Sequence, residues 1–424
     1  MKIISVSQAL HIGHIKTRAR TLPDMSTEHL LPIYDRYPLT AACGRGCRIV
    51  DTEGKQYLDM TSGIGVNAFG YAHPRITAAL REQAGLCIHT SNLVNHRYQG
   101  ELAERLCRIS GLDRVFFSNS GSEAMEAALK AARARGLAQR PKKSRLVALR
   151  GSFHGRTQGA LAITGQTELR ERFEPLGLPV TFVDPNDGPG LAAAMSAGTA
   201  AVVLEAVLGE RGIYPLEDRF LRQARTLTGQ HGALLIADET QSGLGRTGRY
   251  FAYQWAGILP DIVLTAKPLA AGLPLGATLF TKEAARFLPP HSHGSTFGGG
   301  PLACRVALEV LELLEETLPR IGETATQFRS TLEALQRHSI VTAIRSKGLM
   351  FGIQLSRPGR PYVLAALERG LLINCTQGNV LRLLPPYVVS TQEIEETVRI
   401  LDEVLGAADQ RTTLGSATSV PSPA

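Results

Sequence analysis

The chain has 424 residues, 44% of them hydrophobic and 20% charged, with 42 glycines and 23 prolines. That is chain enough for two or three domains or one large α/β unit, and so ordinary a composition excludes a wholly disordered, collagen-like or small disulfide-scaffold protein. A formal net charge of +8, from 46 basic and 38 acidic residues, invites a nucleic-acid reading, but the charges are scattered and no dense basic block interleaves with aromatics. The nearest cluster, RPKKSR at 140–145, reads as a solvated loop. A pocket for anionic substrates would draw on the same positive potential. No apolar run reaches the ~18 residues of a membrane span.

Residues 1–24 carry Lys2, Lys16, Arg18 and Arg20 against one acid, Asp24, without an apolar run of signal-peptide length, and are expected to form a disordered arm. An ordinary domain start follows at Met25. Arg48–Leu58 reads as a hairpin turning at Thr52–Gly54. The near-continuous apolar runs Val115–Ser118, Leu146–Leu149, Val180–Val183, Ala201–Leu204, Leu234–Ala237 and Ile262–Thr265 are expected strands covered on both faces. Helices alternate with them. Met125, Ala128, Leu129 and Ala132 fall at i, i+3, i+4 and i+7 and make one apolar face. Strands alternating with helices predict a mostly parallel sheet in an α/β layer fold.

After Gly298–Gly300 the pattern changes. A helical stretch from Leu302 to Leu314 precedes a strand (Leu349–Leu355), a helix (Tyr362–Arg369), a strand (Leu381–Leu384) and a last helix opened by a capping box, Ser390 with Glu393. This reads as a smaller α+β domain over 301–405, joined by an N-terminal segment, 25–74, beside a large domain over 75–300. Residues 406–424, rich in Ser, Thr, Pro and Ala, read as a flexible tail. The six cysteines form no CxxC pair and are expected as reduced thiols of a cytoplasmic protein. His11/His14 and His291/His293 lack further ligands at metal spacing, so no metal is expected.

The stretch 233–277 carries the chemistry. The strand ALLIA ends in Asp238-Glu239, a Gly-rich turn follows (QSGLGRTG), and the next strand, DIVLT, ends in Ala266-Lys267. An acid and a lysine at neighbouring carboxyl ends of an open α/β sheet lie where such sheets bind ligands. Either residue alone is more commonly a surface lysine or a turn-capping acid. Together they are the protein half of pyridoxal phosphate chemistry: a Schiff-base amine, and a carboxylate that holds a pyridine nitrogen protonated. The run VFFSNSGSE gives a strand, a tight turn at Ser120-Gly121 and a helix start fit for a phosphate, although capping by Ser120 explains the turn equally well. SFHGRT (152–157) offers Phe153 and His154 as rings to stack on the cofactor; a core Phe is the plainer alternative.

The ordered set YDRYP (34–38), SGIGVNAFGYAHP (62–74), NSGSEAMEAALK (119–130), SFHGRT, ADETQSGLGRTG (237–248), TAKPLAAGLPLGA (265–277), HGSTFGG (293–299) and LRLLPP (381–386) resembles the class III, ω-amino-acid branch of pyridoxal phosphate-dependent aminotransferases from about Leu31 to Leu405. The resemblance implies a fold-type I enzyme that transfers the ω-amino group of N-acetylornithine to 2-oxoglutarate, as a homodimer binding neither nucleic acid nor membrane. It implies Lys267 as the Schiff-base lysine and proton carrier, Asp238 on the ring nitrogen and Gln241 near the ring hydroxyl. Gly121 and Ser122 would hold the phosphate, with Thr296 of the partner subunit, and Phe153 would stack on the ring. Arg382 would grip a carboxylate, Glu205 would pair with Arg382 between half-reactions, and Arg156 would meet the distal end of the substrate. Other ω-aminotransferases, acting on succinylornithine, ornithine, 4-aminobutyrate or a carrier-bound lysine precursor, remain alternatives, as do an aminomutase or racemase of the same fold and a non-catalytic cofactor-binding protein. Gly300, Ala206, the GERG run at 209–212 and Pro268 depart from the family pattern.

Overall fold

The structure, a computed structural model, describes residues 29–416. The expected arm at 1–24 and the last residues of the expected tail, 417–424, lie outside the described residues. Residues 29–40 belong to a unit separate from the rest and contain bends and no regular element. The regular elements among the described residues all belong to the unit Ala41–Ala424.

A seven-stranded sheet forms the centre of that unit, in the order Arg114–Ser118, Gly276–Phe280, Ile262–Thr265, Leu234–Asp238, Thr199–Leu204, Arg145–Leu149, Val180–Val183. Six strands run parallel; Gly276–Phe280 runs against both of its neighbours. Alternation along each strand divides the core into two layers. Leu146 and Ala148 face Met125, Ala128, Leu129 and Ala132 of the helix Gly121–Ala138 on one side. Val147 and Leu149 meet Phe220, Leu221 and Ala224 of the helix Asp218–Gln230 on the other.

Two four-stranded sheets flank this layer. Ala41–Arg45, Arg48–Asp51 and Gln56–Asp59 form a meander that pairs with Leu371–Leu372, so the N-terminal hairpin shares a sheet with the C-terminal third of the chain. Val341–Lys347, Met350–Leu355, Val380–Leu383 and Asn374–Thr376 form the other.

Several elements differ from the sequence reading. The strand Gly276–Phe280 is missing from the sequence reading; it begins at the end of the Gly/Pro-rich run AAGLPLGA (270–277), and all five of its residues are buried. Its first residue leaves no room for a side chain, because a Cβ on Gly276 would lie 2.4 Å from the Ser120 carbonyl. The helix expected over 302–314 runs Pro301–Glu333 through Pro319, and the last helix runs Thr391–Ser416, past Leu405. The Ser390–Glu393 box forms as drawn: Glu393 Oε2 accepts from Ser390 N at 2.9 Å, and Ser390 Oγ from Glu393 N at 3.3 Å.

Gly136 lies inside the helix Gly121–Ala138, where Gly→Ala normally gains up to about 1 kcal/mol. Here a Cβ would lie 2.3 Å from the Lys143 carbonyl oxygen, a backbone atom that cannot step aside. Gly136→Ala is therefore expected to lower the midpoint of thermal unfolding, the overpacking cost of about 1–3 kcal/mol outweighing the propensity gain.

Candidate active site

Five loops leaving the carboxyl ends of the parallel strands converge on a cavity of about 410 Å³. Gly121 and Ser122 line one end and Phe153 one wall, while Glu205, Asp238, Gln241 and Lys267 line the rest. The sheet accounts for this convergence. Asp238 is the last residue of a central strand in register with Leu264, and Lys267 follows the adjacent strand by two residues. Pro268 sits in the short turn Lys267–Ala270, where its missing N–H breaks no hydrogen bond of that turn.

Asp238 is held at both oxygens. His154 Nδ1 lies 2.8 Å from Oδ2, and the Thr240 N–H donates to Oδ1 at 3.1 Å. His154 and Asp238 are both buried, so the carboxylate's direction is fixed. Lys267 has no hydrogen-bonding carboxylate. Burial, aided by Arg382 and opposed chiefly by Glu210, brings its amine down to about 8. An amine with that value is a usable base near neutral pH, which an ordinary lysine at ~10.4 is not.

At the other end of the cavity, the helix Gly121–Ala138 presents its N-terminus. Ser120 Oγ caps the Glu123 N–H at 3.2 Å, leaving the Gly121 and Ser122 N–H groups to an incoming anion. Gly121 must be glycine for a packing reason, since a Cβ there would lie 2.7 Å from Thr240 Cγ2.

The carboxylate–guanidinium pair is built from a different glutamate than the sequence suggested. Glu205 ends the strand Thr199–Leu204 and accepts from the Phe153 N–H at 2.9 Å. Burial, then the neighbouring Asp238, push it well above the usual carboxylate range. Arg382 instead bonds Glu210 Oε1 at 2.5 Å. The physical reason is reach. Arg382 lies on the strand Val380–Leu383 of another sheet, and the hairpin Val207–Leu208/Tyr214–Pro215 carries Glu210 out to it at its tip. Burial pushes Glu210 up, but Arg382 and then Lys267 outweigh it and hold the carboxyl below its usual range. Two glutamates five residues apart offered the sequence no distance criterion; the glycines flanking Glu210 were the only signal of a tight turn.

Arg156 is exposed, its guanidinium 5.7 Å from the Phe153 ring centroid. Thr296 is exposed and outside the cavity lining. Thr240 went unassigned in the sequence, and His154 was read there only as a ring that could stack on the cofactor; the structure instead has both orienting Asp238.

These residues fit pyridoxal phosphate. The donor set comprises a lysine amine, a fixed carboxylate, an aromatic wall and an anion-ready helix end. The buried Gln241 Oε1 and Thr240 Oγ1, both on residues that line the cavity, have no hydrogen-bond partner among the described residues. The family model of the class-III aminotransferases matches residues 33–405. This chain belongs to the class-III aminotransferases. It is 40% identical to the acetylornithine aminotransferase of Aquifex aeolicus over 378 residues, covering 89% of this chain and 100% of that protein. It is 44% identical to acetylornithine aminotransferase 1 of Bordetella bronchiseptica over 377 residues, 88% and 96% of the two chains. Among solved structures, the ornithine aminotransferase of Toxoplasma gondii ME49 superposes with a TM-score of 0.86 at 30% identity, covering 91% of this chain and 94% of that one. The N-acetylornithine aminotransferase of Stenotrophomonas maltophilia K279a gives 0.77 at 33%, covering 88% and 97%. The cofactor of this class-III aminotransferase is pyridoxal phosphate, and the T. gondii enzyme has been described with that cofactor at partial occupancy in its active site.

An amine with a value of about 8 is half neutral near that pH. Capture of the cofactor aldehyde by cofactor-free protein should rise about tenfold from pH 7 to pH 9, following the neutral fraction. Stopped-flow absorbance measures the rate, and a flat profile over that range would show that Lys267 titrates elsewhere.

Proposed function

We propose that this class-III aminotransferase moves the ω-amino group of N-acetylornithine to 2-oxoglutarate, giving N-acetylglutamate 5-semialdehyde and glutamate. The observation that carries the reading is the Glu210–Arg382 pair beside Lys267. A donor with its amine far from its carboxylate and an acceptor with carboxylates at both ends must use one cavity in turn. With the pair closed, Arg382 is masked; with Glu210 turned away, the guanidinium is free to take a carboxylate bidentately.

Bound pyridoxal phosphate supplies an aldehyde that captures the donor amine and a ring that takes up electrons from the reacting carbon. The chain supplies the rest. Lys267 would hold the cofactor through its amine between turnovers and, once displaced, would relay a proton at Nζ within each half-reaction, off the donor's reacting carbon in the first and onto the acceptor's in the second. Asp238, braced by His154 and Thr240, keeps the ring nitrogen protonated. Gln241, which lines the cavity, stands near the ring hydroxyl. The Gly121 and Ser122 N–H groups hold the phosphate, with Thr296 of a second copy completing that end in a homodimer. Phe153 packs against the ring face, and Arg156 meets the donor's distal carboxylate. Glu205 acts on the Phe153 backbone and leaves the carboxylate gate to Glu210. A cytoplasmic setting accords with this chemistry.

The acetylated donor is favoured over ornithine by the curated relatives at 40% and 44% identity. Initial rates with N-acetylornithine, N-succinylornithine, ornithine and 4-aminobutyrate against 2-oxoglutarate test the assignment; a larger kcat/KM for any other donor overturns it. Lys267→Ala is expected to lower transamination by at least ~10³-fold, since both proton transfers pass through its amine. Arg382→Ala is expected to raise the KM for 2-oxoglutarate by ~10²-fold, the worth of a charge-assisted bidentate contact, while single-turnover reaction with N-acetylornithine changes far less.

A further inference from the structure

Glu210 rides on a two-stranded finger, Val207–Leu208 paired with Tyr214–Pro215, whose tip spans 209–213. The tip is strained: Gly212 has φ +84° and Ile213, a β-branched residue, φ +55°. Such a turn persists only when its surroundings hold it. Three of the groups that hold it come from the small sheet that carries Arg382. Arg382 Nη1 donates to the Gly209 carbonyl at 3.4 Å, Gln377 Nε2 to that of Glu210 at 2.9 Å, and Arg345 Nε to that of Gly212 at 3.2 Å.

Toward the large sheet, the tip's polar ties among the described residues are two. One is Gln241 Nε2, 3.5 Å from the Glu210 carboxylate. The other is Arg211, whose Nη1 donates to the Arg150 carbonyl at 2.9 Å. The Arg211 guanidinium lies over Gly151, where φ is +78° and a Cβ would sit 2.7 Å from Nη1. Arg211 has no carboxylate partner among the described residues. Two residues beyond Gly151, the Phe153 N–H is held by Glu205. The segments 205–211 and 150–153 are thus stitched together twice, and Arg211 is the stitch nearest the gate.

We propose that Arg211 is a positioning residue of the acceptor half-reaction: it anchors the fingertip to the ring-stacking turn, so that Glu210 leaves Arg382 by side-chain rotation alone. Without that anchor, the fingertip is tied mainly to the sheet on which Arg382 itself rides. Glu210 and Arg382 then move as one, and an incoming carboxylate competes with a pair that follows it. The inference rests on the gate reading given under Proposed function and adds a residue that touches neither substrate nor cofactor.

The test uses cofactor-loaded parent, Arg211→Ala and Arg211→Lys enzymes. Calorimetry reads binding of glutarate, a dicarboxylate lacking the keto group; steady-state kinetics read KM for 2-oxoglutarate; single turnovers read the donor step. Arg211→Ala is expected to weaken glutarate about fivefold and raise the KM for 2-oxoglutarate by a similar factor, the worth of one hydrogen bond, with the donor step within about twofold. Arg211→Lys, which keeps a donor for the Arg150 carbonyl, should recover most of the loss. Unchanged glutarate binding, or equal loss in both half-reactions with no recovery by lysine, overturns the proposal. Arg211→Gln carries the same comparison should the alanine variant not fold. A parent enzyme that reacts with donor yet neither binds glutarate nor uses 2-oxoglutarate overturns the gate reading itself.

Discussion

A guanidinium that is only 2% exposed must have a partner, and in this protein that partner is Glu210. Stranding Arg382 inside the fold would cost several kcal/mol, so whatever removes Glu210 has to replace it. This requirement links the site to the fold. It explains why a two-stranded finger leaves the large sheet to reach a strand of another, and why that finger's tip is pinned at the carbonyls of Gly209, Glu210 and Gly212. It also makes the exchange selective, because only a group with the charge and shape of a carboxylate restores what the arginine loses.

The same accounting separates the two glutamates. Glu205 has a backbone N–H for a hydrogen-bond partner and feels Lys267 only as the smallest of its influences, while burial and then Asp238 keep it from holding charge easily. Glu210 has Arg382 in direct contact and Lys267 within electrostatic reach. Their environments push them in opposite directions, which is the pattern by which one site assigns different tasks to chemically identical groups. Behind Asp238, the buried His154 performs a quieter task, fixing the carboxylate without entering the cavity chemistry itself.

Much of this was legible in the sequence where local chemistry and global position agree. The six parallel strands announced themselves as unbroken apolar runs, and Asp238 and Lys267 declared their positions by following two of them. The antiparallel strand Gly276–Phe280 was hidden by its own glycine, needed for close approach to Ser120 and easily taken for a turn. The long helix Pro301–Glu333 was read only as far as Leu314; it continues through Pro319, held by burial of Ile321, Ala325, Phe328 and Leu332 beyond it. Which glutamate meets Arg382 depends on a hairpin between separate sheets, a distance that no spacing along the chain encodes.

Gly209 has a side-chain-free position that the Gln241 amide fills: a Cβ there would fall 1.8 Å from Gln241 Oε1. That amide is the far end of a flexible side chain, so a residue larger than glycine at 209 displaces it. Changing 209 alone therefore also re-aims Gln241, and libraries that seek new acceptors through this wall gain by varying 209 and 241 jointly, trading the amide's bulk for a side chain on the turn.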